Sequence, residues 1–115
     1  MDKGCEFGLF ASNNLKDWRQ LSSLTLDGVT ECPGFLPLPV DGDSNHIKWL
    51  FFGANRKYKI GSFDDTHFQP ETGILEGDFG KNFYAAMTWS NVPDGRCLHL
   101  AWMPTQRYPD MPFEQ

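Results

Sequence analysis

Thr30-Glu31-Cys32-Pro33-Gly34-Phe35-Leu36-Pro37-Leu38-Pro39 sets one carboxylate at the mouth of an apolar, β-prone run. Pro33 lacks an N–H and has a fixed φ, so no helix forms across it, and the run reads as a strand with Glu31 at its lip. A carboxylate held there has a chemical use. Burial and neighbouring charges can shift a carboxyl pKa into the range where it exchanges protons with a substrate.

The chain around this stretch has 115 residues, the size of one ordinary domain. It is 40% hydrophobic and 15% aromatic, with four Trp and ten Phe, which excludes a disordered segment and suffices for a core. A formal net charge of -5 argues against nucleic acid or an anionic membrane as partner, because both need a basic face. No apolar run reaches the ~18 residues that would span a bilayer. Met1-Asp2-Lys3-Gly4 does not open an apolar signal segment. The three cysteines, Cys5, Cys32 and Cys97, have neither metal-ligand spacing nor the even number of a disulfide framework.

Upstream, Cys5-Glu6-Phe7-Gly8-Leu9-Phe10-Ala11 alternates as a strand, and Ser12-Asn13-Asn14 supplies turn chemistry. Trp18-Arg19-Gln20-Leu21 is extended again, and Asp27-Gly28 is a turn into the opening stretch. Downstream, Val40-Asp41-Gly42-Asp43-Ser44-Asn45 reads as a polar hairpin loop. It lacks the bidentate Glu that would make it a calcium loop. Ile47-Lys48-Trp49-Leu50-Phe51-Phe52-Gly53-Ala54 is apolar on both faces and reads as a buried central strand. Asn55-Arg56-Lys57 is a turn, and Tyr58-Lys59-Ile60-Gly61-Ser62-Phe63 alternates as a strand near an edge. His67-Phe68 starts a short outer strand, and residues 70–80 read as a connecting loop. Phe83-Tyr84-Ala85-Ala86-Met87-Thr88-Trp89 is a second strand apolar on both faces. Pro93-Asp94-Gly95 turns it into Cys97-Leu98-His99-Leu100-Ala101-Trp102-Met103. The tail from Pro104 reads as no finished element. About six or seven short strands and no helical period define an all-β chain, sandwich or propeller.

Four segments in this order carry a resemblance: Glu31-Cys32-Pro33; Tyr58-Lys59-Ile60-Gly61-Ser62-Phe63-Asp64; Asp78-Phe79-Gly80-Lys81-Asn82-Phe83-Tyr84-Ala85-Ala86-Met87-Thr88-Trp89; and Leu100-Ala101-Trp102-Met103. Together they resemble glycoside hydrolase family 32, the invertases, levanases and inulinases that cleave β-fructofuranosidic bonds. The likeness covers almost the whole chain. It implies a five-bladed β-propeller, of which about two to three blades of about 40 to 50 residues fit in this length. It also implies that part of the active site is missing. The family's nucleophile sits in Trp-Met-Asn-Asp-Pro-Asn-Gly and its transition-state stabiliser in Arg-Asp-Pro, and this sequence has neither motif. The chain is therefore expected to be an internal piece of a catalytic domain, inactive alone, whose open strand edges offer a route to dimerisation.

The resemblance makes Glu31 the general acid/base of a retaining hydrolase, and Cys32, Asn82 and Tyr84 residues that bind substrate, with neither metal nor cofactor required. Cys32 matches a cysteine lining the fructose subsite, although it would equally serve as a small buried apolar residue. Tyr84 matches a tyrosine whose hydroxyl could hold Glu31. Trp89 and Trp102 suit core packing better than sugar stacking, and His99 suits a structural role. Gly34, Asn82 and Met87 stand where the family commonly has an acidic residue, Asp and Gln. The partner implied is sucrose or a fructan such as inulin or levan. Compartment is not readable from these residues, although enzymes of this kind are often exported. Two other readings use the same residues: a non-catalytic carbohydrate-binding or structural propeller segment, and a fructosyltransferase.

Overall fold

A computed structural model describes residues 6–80 and 82–104. Cys5, Lys81 and the tail from residue 105 lie outside the described residues. Strands follow one another without an intervening helix: β1 (Glu6–Ala11), β2 (Arg19–Thr25), β3 (Gly34–Val40), β4 (Asp43–Phe52), β5 (Lys57–Phe63), β6 (Phe68–Pro70), β7 (Leu75–Glu76), β8 (Tyr84–Trp89) and β9 (Leu98–Trp102). They form three antiparallel sheets, the hairpin β1-β2, a five-stranded sheet ordered β3-β4-β5-β6 with β7 also on β5, and the hairpin β8-β9.

Local chemistry explains the connections. Between β1 and β2, the Asn14 side-chain oxygen accepts from Lys16 N and Asp17 N at 2.9 Å each, and its amide donates to Asp17 Oδ2 at 2.8 Å. The β3–β4 turn is only Asp41-Gly42, both at positive φ (52° and 80°), the twist-matched geometry of tight hairpins. The polar loop expected over residues 40–45 is thus shorter than its composition suggests. Val40 pairs with Asp43, and Asp43 to His46 extend β4 as exposed strand. Between β5 and β6, Asp64 Oδ1 accepts from Thr66 Oγ1 (2.6 Å), His67 N (2.7 Å) and Thr66 N (2.9 Å), which holds its carboxyl down at about 2. The connecting loop expected over residues 70–80 contains β7, which pairs Tyr58 with Leu75.

β3 lies at the edge of its sheet, where Pro37 and Pro39 remove no ladder donor that another strand needs. β4 lies between β3 and β5, the central place its apolar pattern implies. The core is built where the β1-β2 hairpin meets this sheet. Leu24, Leu26, Val29 and Phe51 are buried, and Phe7, Leu9, Phe35 and Phe68 pack against them. Phe35 stacks on Trp49 at 4.6 Å and meets Phe63 and Phe68 edge-on at 5.1 and 5.5 Å. On the other face Phe52 reaches His99 of β9 at 4.7 Å, joining the large sheet to the β8-β9 hairpin.

Packing departs from the sequence in that hairpin. Ala86 is buried against the large sheet, but Met87, Trp89, Leu100 and Trp102 are exposed, the two tryptophans at 60% each. The expectation of core tryptophans in a strand buried on both faces is corrected here. A two-stranded hairpin packed on one side keeps its second face in solvent among the described residues.

Candidate active site

Glu31 stands at the end of a short loop, residues 26–31, that follows β2. The loop is anchored by its apolar side chains, since Leu26 and Val29 are almost wholly buried, and Val29 N donates to Leu26 O at 3.0 Å. That leaves Glu31 exposed at the rim, ahead of β3. Its own carbonyl accepts from Ala54 N at 3.1 Å. Cys32, half-buried and with a free thiol, has φ 50°, a left-handed conformation uncommon for a residue other than Gly. It swings the chain from the loop into the direction of β3.

Tyr84 enters from the first residue of β8. Its hydroxyl donates a hydrogen bond to Glu31 Oε1. The two residues are 53 positions apart, so tertiary structure alone joins them. A bulge aims the tyrosine. Register along β8-β9 shifts between Tyr84, opposite Trp102, and Met87, opposite Leu100, so Ala85 and Ala86 face Ala101 alone. Ala85 takes φ 49° and turns its N–H to Ala54 O at 2.9 Å. The Trp102 ring meets the Tyr84 ring at 6.2 Å with a 68° interplanar angle, so this exposed tryptophan also packs beside the site.

Positive φ at Cys32 and at Ala85 places two left-handed non-glycine residues next to the two residues whose side chains meet. Such conformations cost of order 1–3 kcal/mol each and gather where geometry is over-determined by the surroundings. Asn82 lies half-buried in the segment entering β8, two residues before Tyr84 in the chain. Gly34, the first residue of β3, has a packing reason: a Cβ there would collide with the Phe52 ring, its cross-strand partner. His99 is a packing residue, set against Phe52 and Phe83, and burial pushes its pKa below the usual histidine value. Met87 is exposed, opposite Leu100 in the hairpin. No cluster of three or more His, Cys, Asp or Glu side chains with metal-binding geometry occurs among the described residues.

The turn between β4 and β5 escaped the sequence reading as part of this site. Asn55-Arg56-Lys57 has plain turn composition, and its contacts to the loop ahead of Glu31 exist only in the folded chain. The arrangement presents one carboxylate, oriented by a phenol and followed in the chain by a cysteine, at the meeting point of two sheets.

The Glycosyl hydrolases family 32 N-terminal domain matches residues 2–115. The chain is similar to a levanase from Bacillus subtilis, with 38% identity over 87% of this chain and 18% of the relative. It is similar to an extracellular exo-inulinase from Aspergillus niger, with 31% identity over 90% of this chain and 24% of the relative. Invertase 2 of Saccharomyces cerevisiae shares 30% identity over 87% of this chain and 22% of the relative. The chain belongs to glycosyl hydrolase family 32 and lies within its N-terminal domain. It spans about a fifth of the length of these three relatives, between 18% and 24%.

Proposed function

We propose that this chain is part of the five-bladed propeller catalytic domain of a retaining hydrolase of β-fructofuranosidic bonds, and that Glu31 is its general acid/base. The carrying observation is the Tyr84 hydroxyl on Glu31 Oε1, a contact between two of the motif segments. It supports the reading because an acid/base must be held in one orientation toward the bond it protonates. In propeller terms the large sheet is one whole blade, and the hairpins β1-β2 and β8-β9 are parts of its two neighbours.

Retaining hydrolysis takes two carboxylates about 5 to 5.5 Å apart. In the first step Glu31, protonated, gives its proton to the glycosidic oxygen as the bond from that oxygen to the fructose anomeric carbon breaks. The nucleophilic carboxylate, on a part of the protein outside this sequence, bonds to the anomeric carbon as the leaving alcohol departs. In the second step the Glu31 carboxylate takes a proton from water, whose oxygen displaces the enzyme carboxylate and frees fructose. Tyr84 occupies Oε1, and Oε2 has no hydrogen-bond partner among the described residues, so Oε2 is the oxygen we assign to proton transfer. Cys32, next to Glu31 in the chain, and Asn82, two residues before Tyr84, are assigned to the fructose subsite. The substrate is sucrose or a fructan, levan or inulin.

The test is Glu31→Gln in the complete protein that carries this chain. Fructose release from sucrose, inulin and levan is expected to fall at least about a hundredfold, the scale of general acid–base catalysis. Activity surviving within a few-fold overturns the assignment. An inactive parent protein that still binds fructan would instead favour a carbohydrate-binding segment, and fructose transferred to sugar rather than to water a fructosyltransferase.

A further inference from the structure

The loop that carries Glu31 is held from one side by a single turn, residues 53–57 between β4 and β5. Ala54 is bonded through its backbone to Glu31 and to the neighbour of Tyr84, donating to Glu31 O at 3.1 Å and accepting from Ala85 N at 2.9 Å. Gly53 lets the turn approach, since a Cβ there would collide with Val29. Two side chains reach from the turn to the loop. Lys57 Nζ lies 3.3 Å from Asp27 O, at the end of a long flexible stem. Asn55 Nδ2 donates to Gly28 O at 2.6 Å from a short stem. Gly28 has φ +74°, so this bond fixes the carbonyl at the one sharp turn of the loop, three positions before Glu31. Asn55 Oδ1 is buried and has no donor among the described residues, so the amide acts on the loop through that one bond.

We propose that Asn55 is a positioning residue for the acid/base. Its amide locks the Asp27-Gly28 turn against the β4–β5 turn, and Ala54 in that same turn fixes the backbone of Glu31 relative to the bulge behind Tyr84. Displacing a catalytic group by about 1 Å costs on the order of a hundredfold in rate, so a bond to the middle of this loop matters to a side chain at its end. This inference rests on the acid/base role assigned to Glu31.

The test separates proton transfer from folding by varying the leaving group in the complete protein. Sucrose expels glucose, whose departing oxygen needs a proton, whereas an aryl β-fructofuranoside with an acidic phenol does not. Asn55→Leu, similar in volume and without a donor, is expected to lower kcat/KM on sucrose about tenfold or more. On the activated aryl fructoside kcat/KM, which reports the leaving-group step and not the later attack of water, should stay within about threefold. Asn55→Ser is read in the same way should the leucine variant not fold, and Lys48→Ala, which removes a surface ion pair to Glu71, serves as a control with under about twofold effect. Equal losses on both substrates, or no loss on sucrose, overturn the inference. Glu31→Gln is run in parallel. If it too lacks leaving-group dependence, the acid/base reading fails and this inference with it. If it has that dependence and the Asn55 variants do not, only the positioning role fails.

Discussion

At the scale of single residues, the site turns on how one exposed carboxylate acquires an orientation. Glu31 is short of burial, so packing does not fix its side chain; the Tyr84 hydroxyl does. Hydrogen bonds to charged groups contribute about 1.5–3 kcal/mol, which corresponds to roughly ten- to hundredfold in a rate if the bond matters in the transition state. Tyr84→Phe keeps the ring beside Trp102 and removes the hydroxyl. In the complete protein this variant is expected to lose about tenfold in kcat on sucrose with little change in KM. Steady-state kinetics at matched fold stability check it, and an unchanged kcat removes Tyr84 from the orientation of Glu31. The Tyr84–Glu31 pairing was legible as a resemblance between motifs. The same could not be said of Asn55, because nothing in its neighbours announces that Gly28, 27 positions away, needs a donor.

Elements carry the geometry between these residues. The β8 bulge costs a left-handed Ala85 and a broken register, and in return points Tyr84 at the loop before β3. β3 starts at Gly34, over which the Phe52 ring lies, and the same ring contacts His99 on β9. One aromatic side chain thus sets the spacing between the large sheet and the hairpin that brings Tyr84. Restoring the acidic residue common in the family, Gly34→Asp, is expected to destabilise by about 1–3 kcal/mol through overpacking. Thermal or denaturant unfolding of the complete protein measures it. Combining Gly34→Asp with Phe52→Leu should cost less than the sum of the two single changes, because the smaller side chain opens the space. Strict additivity would place the ring elsewhere. The short strands β6 and β7 were the least legible elements. Each is held by pairing to β5 rather than by a pattern of its own.

For the molecule as a whole, three sheets stand side by side instead of closing on one core. The Cα radius of gyration is 16.7 Å, against about 13 Å for a compact domain of this length. The apolar face formed by Met87, Trp89, Leu100 and Trp102 is exposed, which suits a sheet that a further blade would cover in the proposed propeller. Produced alone, the chain is expected to self-associate through this face and through the open edges of its hairpins. Edges are not equal, since β3 presents Pro37 and Pro39 and so lacks N–H donors there. Sedimentation should show a concentration-dependent mass, and Trp89→Lys should shift it toward monomer. A strictly monomeric chain across the accessible concentration range would count against that association.

Sequence by itself determined the all-β class, most strand positions and the family, because alternation, turn residues and linear motifs are local properties of the chain. Prolines and Asn-, Asp- and Gly-rich turns act within a few residues, and their effects were readable. Tertiary structure alone decided which face of the β8-β9 hairpin is exposed, why Gly34 must be small, and which side chains meet Glu31. Those outcomes depend on groups far apart in sequence: Phe52 over Gly34, Asn55 on Gly28, Tyr84 on Glu31. Burial and hydrogen bonding between distant segments follow from how sheets pack, and packing has no signature in any one stretch of residues.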